Sequence, residues 1–344
     1  MATTAAELTL DSDELRQRIG RFHTVRDEIL AQVHAVIVGQ DEVIEQILIA
    51  LFVGGHCLIT GLPGTAKTLM VRTIAQALGL AFKRIQFTPD LMPADITGTD
   101  IIEEGPATGR RRWTFVPGPI FANILLADEI NRTPPKTQSA LLEAMQEHSC
   151  TVRGNQYPLP APFFVLATQN PIELEGTYPL PEAQLDRFLF NTVLDYLSAA
   201  DEVKVVDQTT AVRVVQTQAV TNAAEILQFQ DLVRRVPMAA SIGAYVVDLV
   251  RATRPSSASA PEFVNKYVNF GASVRAAQFI VLGAKVRALA HRRYHVAYED
   301  VTALATPALR HRLLLNFHAD SERIDTDEII RRLLAHVPVP KSTR

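Results

Sequence analysis

The chain has 344 residues, enough for two domains, and its 34 lysines and arginines nearly balance 37 aspartates and glutamates, for a formal charge of −3. This balance argues against a global attraction to nucleic acid or to an acidic membrane. The two cysteines, Cys57 and Cys150, form no C-x-x-C pair, so a disulfide framework or zinc ribbon is not expected. A reducing cytoplasm is the simplest compartment.

No targeting or membrane segment is predicted. The first 20 residues are polar and acidic, unlike a Sec signal. The most apolar window, VIEQILIALFVGGHCLIT (43–60), is interrupted by Glu45, Gln46 and His56, and it is shorter than the ~20 apolar residues of a membrane span. We interpret it as a buried helix followed by a buried strand.

The first predicted element is an amphipathic helix near residues 11 to 35, where apolar side chains recur at steps of three and four: Leu15, Ile19, Phe22, Val25, Ile29 and Val33. From about 38 to 195, helical stretches alternate with the predicted strands CLIT, FKRIQF, ILLADE and FFVLATQ. Such alternation indicates an α/β domain with a parallel sheet covered by helices on both faces. The stretches 99–120 and 148–163 are instead predicted to be inserted β-hairpins.

Beyond residue 196 the sequence changes to helical stretches rich in alanine, valine, leucine and arginine. We therefore predict three regions: an α/β domain with its N-terminal helix over 1–195, an all-α domain over 196–335 and a tail over 336–344.

The octet GLPGTAKT, residues 61–68, lies between a predicted strand and a predicted helix. Gly61, Lys67 and Thr68 match the phosphate-loop pattern G-x-x-x-x-G-K-[ST], whereas Ala66 stands where the second glycine is usual. Lysine can reach β- and γ-phosphate oxygens, and a threonine hydroxyl is a suitable Mg²⁺ ligand. Pro63 and Gly64 would supply the bend. The alternative is an ordinary strand-to-helix turn with an exposed lysine.

Two further predicted strands end in polar residues. Asp128 and Glu129 follow an apolar run, at the sheet edge where α/β proteins bind ligands. Asp128 would hold Mg²⁺, and Glu129 would orient and polarise the water that attacks the γ-phosphate. Asn170 follows the next strand and can hydrogen-bond that water and the γ-phosphate. A helix cap for the acidic pair, and a turn-forming asparagine before proline, are the alternatives.

Two arginines are candidates for contacts with phosphate. Arg187 lies after Asp186 on a short predicted helical segment, and it would be an arginine finger supplied to a neighbouring subunit, or a partner in a surface ion pair. Arg275 lies in the first turn of a predicted helix that could fold back over the nucleotide. Its alternative is a solvated helix arginine.

In this order, GLPGTAKT, ILLADEINRTPPKTQSALLEAMQE, VLATQNP, LPEAQLDRF and GASVRA resemble the MoxR family of AAA+ ATPases over nearly the whole chain. The resemblance implies a Walker A loop at Gly61 to Thr68, a Walker B pair at Asp128 and Glu129, sensor 1 at Asn170, an arginine finger at Arg187 and sensor 2 at Arg275. It implies two hairpin inserts and a helical lid. The implied nucleotide contacts are Val38, Gly39 and Gln40 against adenine, with Gly61, Pro63, Gly64, Thr65, Ala66, Lys67, Thr68 and Leu69 around the phosphates.

By this resemblance the chain is a Mg²⁺-dependent ATPase, which forms a homo-oligomeric ring of six subunits and remodels or matures other proteins. A partner with a von Willebrand factor A domain is implied in the same way. Two other functions stay open. One is a nucleic-acid translocase, for which the cluster GRRRW (109–113) is the local signal. The other is a binding switch that hydrolyses ATP very slowly.

Overall fold

The computed structural model describes residues 12–104, 111–171, 176–211 and 216–340. Predictions for the first 11 residues, for the tip of the first hairpin with Gly109 and Arg110, and for the end of the tail lie outside these residues. Eleven strands occur in the described residues: β1 (Cys57–Gly61), β2 (Phe82–Gln86), β3 (Gly98–Glu104), β4 (Arg111–Pro117), β5 (Ile124–Asp128), β6 (Ser149–Val152), β7 (Asn155–Pro158), β8 (Phe164–Gln169), β9 (Phe190–Leu194), β10 (Val268–Phe270) and β11 (Leu314–Leu315).

The helices of these residues fall into two groups. Six belong to the first 195 residues: α1 (Ser12–His34), α2 (Asp41–Val53), α3 (Lys67–Ala77), α4 (Pro93–Thr97), α5 (Pro135–Glu147) and α6 (Glu182–Leu185). Eight follow: α7 (Ala199–Thr210), α8 (Ala223–Arg234), α9 (Ala240–Ala252), α10 (Glu262–Tyr267), α11 (Val274–Ala290), α12 (Tyr298–Leu309), α13 (Phe317–Ser321) and α14 (Thr326–His336). Among the helices so described, none is both long and apolar enough to cross a membrane.

A five-stranded parallel sheet organises the first part of the chain, in the order β2-β5-β8-β1-β9. The predicted parallel α/β sheet is therefore confirmed. β5 is buried along its whole length because helices cover both faces. Strand β9 was not predicted from the sequence. Its burial alternates, with Asn191 and Val193 more exposed, and it lies at the margin of the sheet.

Both predicted hairpins are present. β3 pairs antiparallel with β4, and β6 pairs antiparallel with β7. The two hairpins touch each other: Phe115 stacks on Tyr157 with ring centroids 4.0 Å apart, and the Arg153 guanidinium lies 4.0 Å from the centre of the Trp113 ring. Trp113 is nevertheless 55% exposed. The inserts thus form one composite surface outside the sheet.

One hydrophobic core joins a face of the sheet to the helices that follow it. It includes Phe52 of α2, Phe190 of β9, Phe229 of α8 and Leu304 of α12. A side chain at Gly283 of α11 would lie 2.9 Å from Leu304 and 3.1 Å from Phe190, so glycine permits this close packing. A smaller core lies on the other face, under α4 and α5.

Side chains from the loop after α12 form hydrogen bonds with backbone carbonyls of β9 and of the segment directly before it. Arg310 donates to the Asn191 carbonyl, and Arg312 donates to the Leu189 and Phe188 carbonyls, while His311 contacts Phe188 O at 3.0 Å. These contacts satisfy the Asn191 carbonyl on the edge strand β9 and two carbonyls of the segment directly before it. The same region contains the short antiparallel pair β10–β11, so the second, mainly helical part is not purely α.

Replacement of Phe22 by alanine should destabilise the protein by about 3–5 kcal/mol, because the ring is fully buried and its loss leaves a cavity. Phe22 packs edge-on against Phe52 and Phe229, and thereby joins α1 to α2 and α8. Urea unfolding measures the effect. Leu227→Ala, at a side chain of α8 that is 40% exposed, is the control and should cost far less. Equal losses in the two variants would contradict this packing.

Candidate active site

The turn between β1 and α3 has the strained backbone of an anion-binding loop. Gly64 has φ of 81° and Ala66 has φ of 59°, so both lie in the left-handed region. For alanine this conformation costs about 1–2 kcal/mol, which is why glycine is usual at that position. α3 begins at Lys67, directly after Ala66. Amide groups at a helix N-terminus favour negative charge, and phosphate is the ligand that such loops bind.

Lys67 is held back against this loop. Its ammonium donates to the carbonyls of Gly61 at 2.5 Å and Leu62 at 2.9 Å. Burial lowers the pKa of Lys67, and the negative charges of Asp128 and Glu129 oppose that shift. The lysine is therefore a cation beside two carboxylates, within the same pocket.

Asp128 and Glu129 are fixed by their neighbours on β2 and β8. Asp128 Oδ2 accepts from Arg84 Nη2 at 2.7 Å, and its Oδ1 accepts from the Thr168 hydroxyl at 2.6 Å. Glu129 Oε2 accepts from Gln86 Nε2 at 2.7 Å and from Arg132 Nη1 at 3.1 Å. Both carboxylates thus have defined positions at the carboxyl edge of the sheet.

A polar cavity brings most of the predicted site residues together. It is lined by Pro63, Gly64, Thr65, Ala66, Lys67, Thr68, Leu69, Asp128, Glu129, Thr168 and Asn170. Asn170 directly follows β8 and is only 7% exposed. The arrangement combines a phosphate-type loop, a cation, a hydroxyl, two carboxylates and an amide, which is the chemistry of a site for a phosphorylated ligand and a hard metal ion.

An adjoining apolar cavity of about 440 Å³ shares Gly64, Thr65, Ala66 and Leu69 with the polar one. Its other walls come from the residues before α2, from α3, from the residues before α7 and from α7 itself: Val36, Ile37, Val38, Gln40, Met70, Asp195, Tyr196, Leu197, Glu202, Val205, Val206, Gln208 and Thr209. Gly39 does not line it, but a side chain there would lie 3.3 Å from Leu197. The size and apolar walls suit a planar base next to a phosphate site.

Arg187 and Arg275 line neither cavity. The Arg187 guanidinium donates to the Leu142 carbonyl of α5, and among the described residues it has no carboxylate partner. Arg275 lies 3.7 Å from Asp186, which pairs more closely with Arg312 at 2.7 Å. The structure therefore places Arg275 beside Asp186 and Arg187 against α5, and neither arginine lines a cavity of the candidate site.

Comparison with known proteins identifies the family. The model of the ATPase family associated with various cellular activities (AAA) matches residues 56–190, and an AAA lid domain model matches residues 262–333. The chain is 43% identical over 319 residues to Chaperone MoxR1 of Mycobacterium tuberculosis, covering 93% of this chain and 83% of that protein. It belongs to the MoxR family of AAA+ ATPases.

Two further proteins match this chain along most of its length. YeaC of Bacillus subtilis, an uncharacterised protein, is 41% identical over 320 residues, with 93% of this chain and 96% of YeaC covered. The crystal structure of a proposed ATPase from Cytophaga hutchinsonii has a TM-score of 0.88 and 39% identity, and the match covers 96% of this chain and 99% of that one. AAA+ membership implies nucleotide binding, and in this MoxR-family chain the two adjoining cavities form the candidate nucleotide site.

Several contacts of this MoxR-family site were missed by sequence reasoning. Arg84 and Gln86 occupy alternate positions of β2, whose register sets Gln86 opposite Asp128. The sequence indicated only that Arg84 and Gln86 lie two residues apart in a predicted strand, so that their side chains share one face of it. The pairing of that strand with the strand that ends in Asp128 comes from the structure. Thr168 stands two residues before Asn170, and Tyr196 follows the unrecognised strand β9. Nothing in the sequence around Thr168 or Tyr196 indicated a functional role.

Proposed function

We propose that this MoxR-family chain hydrolyses ATP with Mg²⁺, assembles into a ring and uses hydrolysis to remodel or mature partner proteins. The observation that carries the proposal is the single cavity in which Lys67, Thr68, Asp128, Glu129 and Asn170 meet.

The donors in this cavity fit Mg²⁺. The Thr68 hydroxyl and the Asp128 carboxylate are hard oxygen ligands, and Mg²⁺ sites in nucleotide enzymes combine one or two such groups with phosphate oxygens. In the described residues no cluster of three histidine, cysteine, aspartate or glutamate side chains forms a separate metal centre. Bound there by Thr68 and Asp128, the ion would neutralise charge on the phosphates.

Each remaining side chain has a role that follows from its type. Lys67 would exchange its loop carbonyls for the β- and γ-phosphate oxygens. Glu129 would accept a hydrogen bond from the attacking water and hold it in line with the γ-phosphate, and Asn170 would orient the same water. The apolar cavity would hold the base, with Val38 and Gln40 on one side.

The ring is supported by the position of the arginines. Because Arg187 and Arg275 lie outside their own chain's cavities, we propose that both complete the nucleotide site of the neighbouring subunit. A head-to-tail contact of this kind closes into a ring when its rotation permits. Six subunits are proposed from the family resemblance.

The client proteins are proposed from the relatives. MoxR1 of Mycobacterium tuberculosis is named a chaperone, and we transfer a chaperone-type role to this chain. A partner with a von Willebrand factor A domain and a cytoplasmic location complete the proposal.

A nucleic-acid translocase is the second candidate, since Trp113 is exposed on the hairpins with Arg153 stacked on its ring.

Steady-state ATP hydrolysis, measured against protein concentration with and without single-stranded or duplex DNA, separates the candidates. A rate per chain that rises with concentration and ignores DNA supports the ring ATPase. Stimulation by DNA that falls steeply with salt would favour the translocase, and very slow turnover at every concentration would favour the binding switch.

Replacement of Arg84 by alanine should lower the Mg²⁺ concentration needed for half-maximal hydrolysis by several-fold. The Arg84 guanidinium neutralises the Asp128 carboxylate at 2.7 Å and so competes with the metal for that oxygen. Titration of Mg²⁺ at saturating ATP measures the change. Lys83→Ala, at an exposed neighbour on β2, is the matched control. A raised Mg²⁺ requirement in Arg84→Ala would show that Arg84 supports the metal site instead.

A further inference from the structure

The hydroxyl of Thr168 contacts both residues of the acidic pair. Thr168 lies in β8 and is 1% exposed. Its oxygen accepts a hydrogen bond from the Glu129 backbone N–H at 2.9 Å, and the hydroxyl donates to Asp128 Oδ1 at 2.6 Å. The direction of these bonds is fixed by chemistry, because an amide N–H only donates and a hydroxyl has one proton to give.

These bonds replace the regular sheet ladder at the point where it ends. The register of β5 and β8 runs from Ile124 opposite Phe164 to Ala127 opposite Ala167. Beyond that pair, Glu129 turns into the left-handed region with φ of 56°. Few residues other than glycine adopt this conformation, and it persists only where the surroundings hold it. The Thr168 side chain supplies the acceptor that the turned backbone requires.

From these contacts we infer that Thr168 is a positioning residue, which fixes the Asp128 carboxylate for the metal and the Glu129 turn for the water. The inference rests on the proposed ATPase function. Thr168 lines the polar cavity, but its hydroxyl is engaged with both acids, so we assign its role to their placement. It also couples them to Asn170, which follows two residues later on the same strand end, so a shift of β8 would move all three groups together.

The test compares three variants with the wild-type full chain. Thr168→Val keeps the shape but removes the hydroxyl, and Thr168→Ser keeps the hydroxyl. Thr192→Val is the matched control, because Thr192 is fully buried in β9 of the same sheet and contacts neither carboxylate. Three readouts are measured: ATP hydrolysis kinetics, the Mg²⁺ dependence of binding of fluorescent ADP, and hydrogen exchange of residues 128–133 without nucleotide.

We expect Thr168→Val to lower kcat by about 10- to 100-fold, as loss of a group that orients a metal ligand commonly does. KM for ATP should stay within about 3-fold, since the lost contacts do not touch substrate. The Mg²⁺-dependent part of ADP binding should weaken, and the Glu129 amide should exchange faster. Thr168→Ser and Thr192→Val should both stay close to wild type in all three readouts.

The inference is overturned if Thr168→Val behaves like Thr192→Val in the three readouts, or if serine fails to restore what valine removes. A wild type that binds Mg²⁺ and ADP but does not hydrolyse ATP would refute the proposed ATPase activity alone. Mg²⁺ dependence and hydrogen exchange would then still decide the role of Thr168. A wild type that binds no nucleotide would overturn both.

Discussion

Replacement of Glu129 by glutamine should lower ATP hydrolysis by about 10²- to 10⁴-fold while nucleotide binding persists. Glutamine has nearly the same shape as glutamate and keeps an oxygen for the bond from Gln86 Nε2, which now lies at 2.7 Å from the carboxylate. It lacks the negative charge that polarises the attacking water. Single-turnover hydrolysis and equilibrium binding of a fluorescent nucleotide measure the two effects separately.

Glu262→Gln is the control, because Glu262 is exposed in the first turn of α10 and lines neither cavity of the candidate site. It should hydrolyse ATP at the wild-type rate. Normal hydrolysis by Glu129→Gln would show that another group activates the water. Loss of nucleotide binding in that variant would instead indicate that Glu129 holds the loop together.

Replacement of Arg187 by alanine should lower hydrolysis by about 10³-fold or more, the effect that arginine fingers have in related phosphoryl-transfer sites. The guanidinium lies outside its own chain's polar cavity, so its charge would reach the phosphates of a neighbour. Mixing provides a sharp test. Lys67→Ala supplies an intact Arg187, and Arg187→Ala supplies an intact Lys67, so about a quarter of the contacts in a random equal mixture would be complete.

Recovery of activity on mixing two inactive variants supports the action of Arg187 on a neighbouring subunit. Because Arg187 also donates to the Leu142 carbonyl, Arg187→Lys provides a second variant with a smaller structural change. Arg331→Ala is the control, since Arg331 is exposed and pairs only within α14. Full activity of Arg187→Ala would refute the arginine finger, and inactive mixtures would refute its action between subunits.

Much of the fold followed from residue patterns that are local in sequence. The alternation of short apolar runs with helical stretches predicted the parallel sheet, and glycine turns between extended segments predicted both hairpins. The loop between β1 and α3 was recognisable because anion binding restricts its residues, even with Ala66 in a left-handed position. Strand β9 was not predicted, although Phe190, Thr192 and Leu194 alternate toward the core, because it directly follows a segment predicted to be helical.

The site was harder to predict wherever its contacts depend on strand order. Arg84 reaches Asp128 only because β2 lies beside β5, although 44 residues separate the two in sequence. The position of Arg275 depends on the fold in the same way: its place in the first turn of a helix was predictable from the sequence, but its ion pair with Asp186, 89 residues earlier in the chain, was not. The roles of Arg187 and Arg275 as phosphate contacts stay predictions.

The single core shared by the sheet and the later helices has a mechanical consequence. A hinge between the two parts would have to separate Phe190 from Leu304 and Gly283, and so expose surface that is now fully buried. We therefore expect the sheet and the later helices of each chain to move largely as one rigid body. In the proposed ring, energy from the nucleotide would then be converted into rotation at the contacts between chains, where Arg187 and Arg275 are proposed to act.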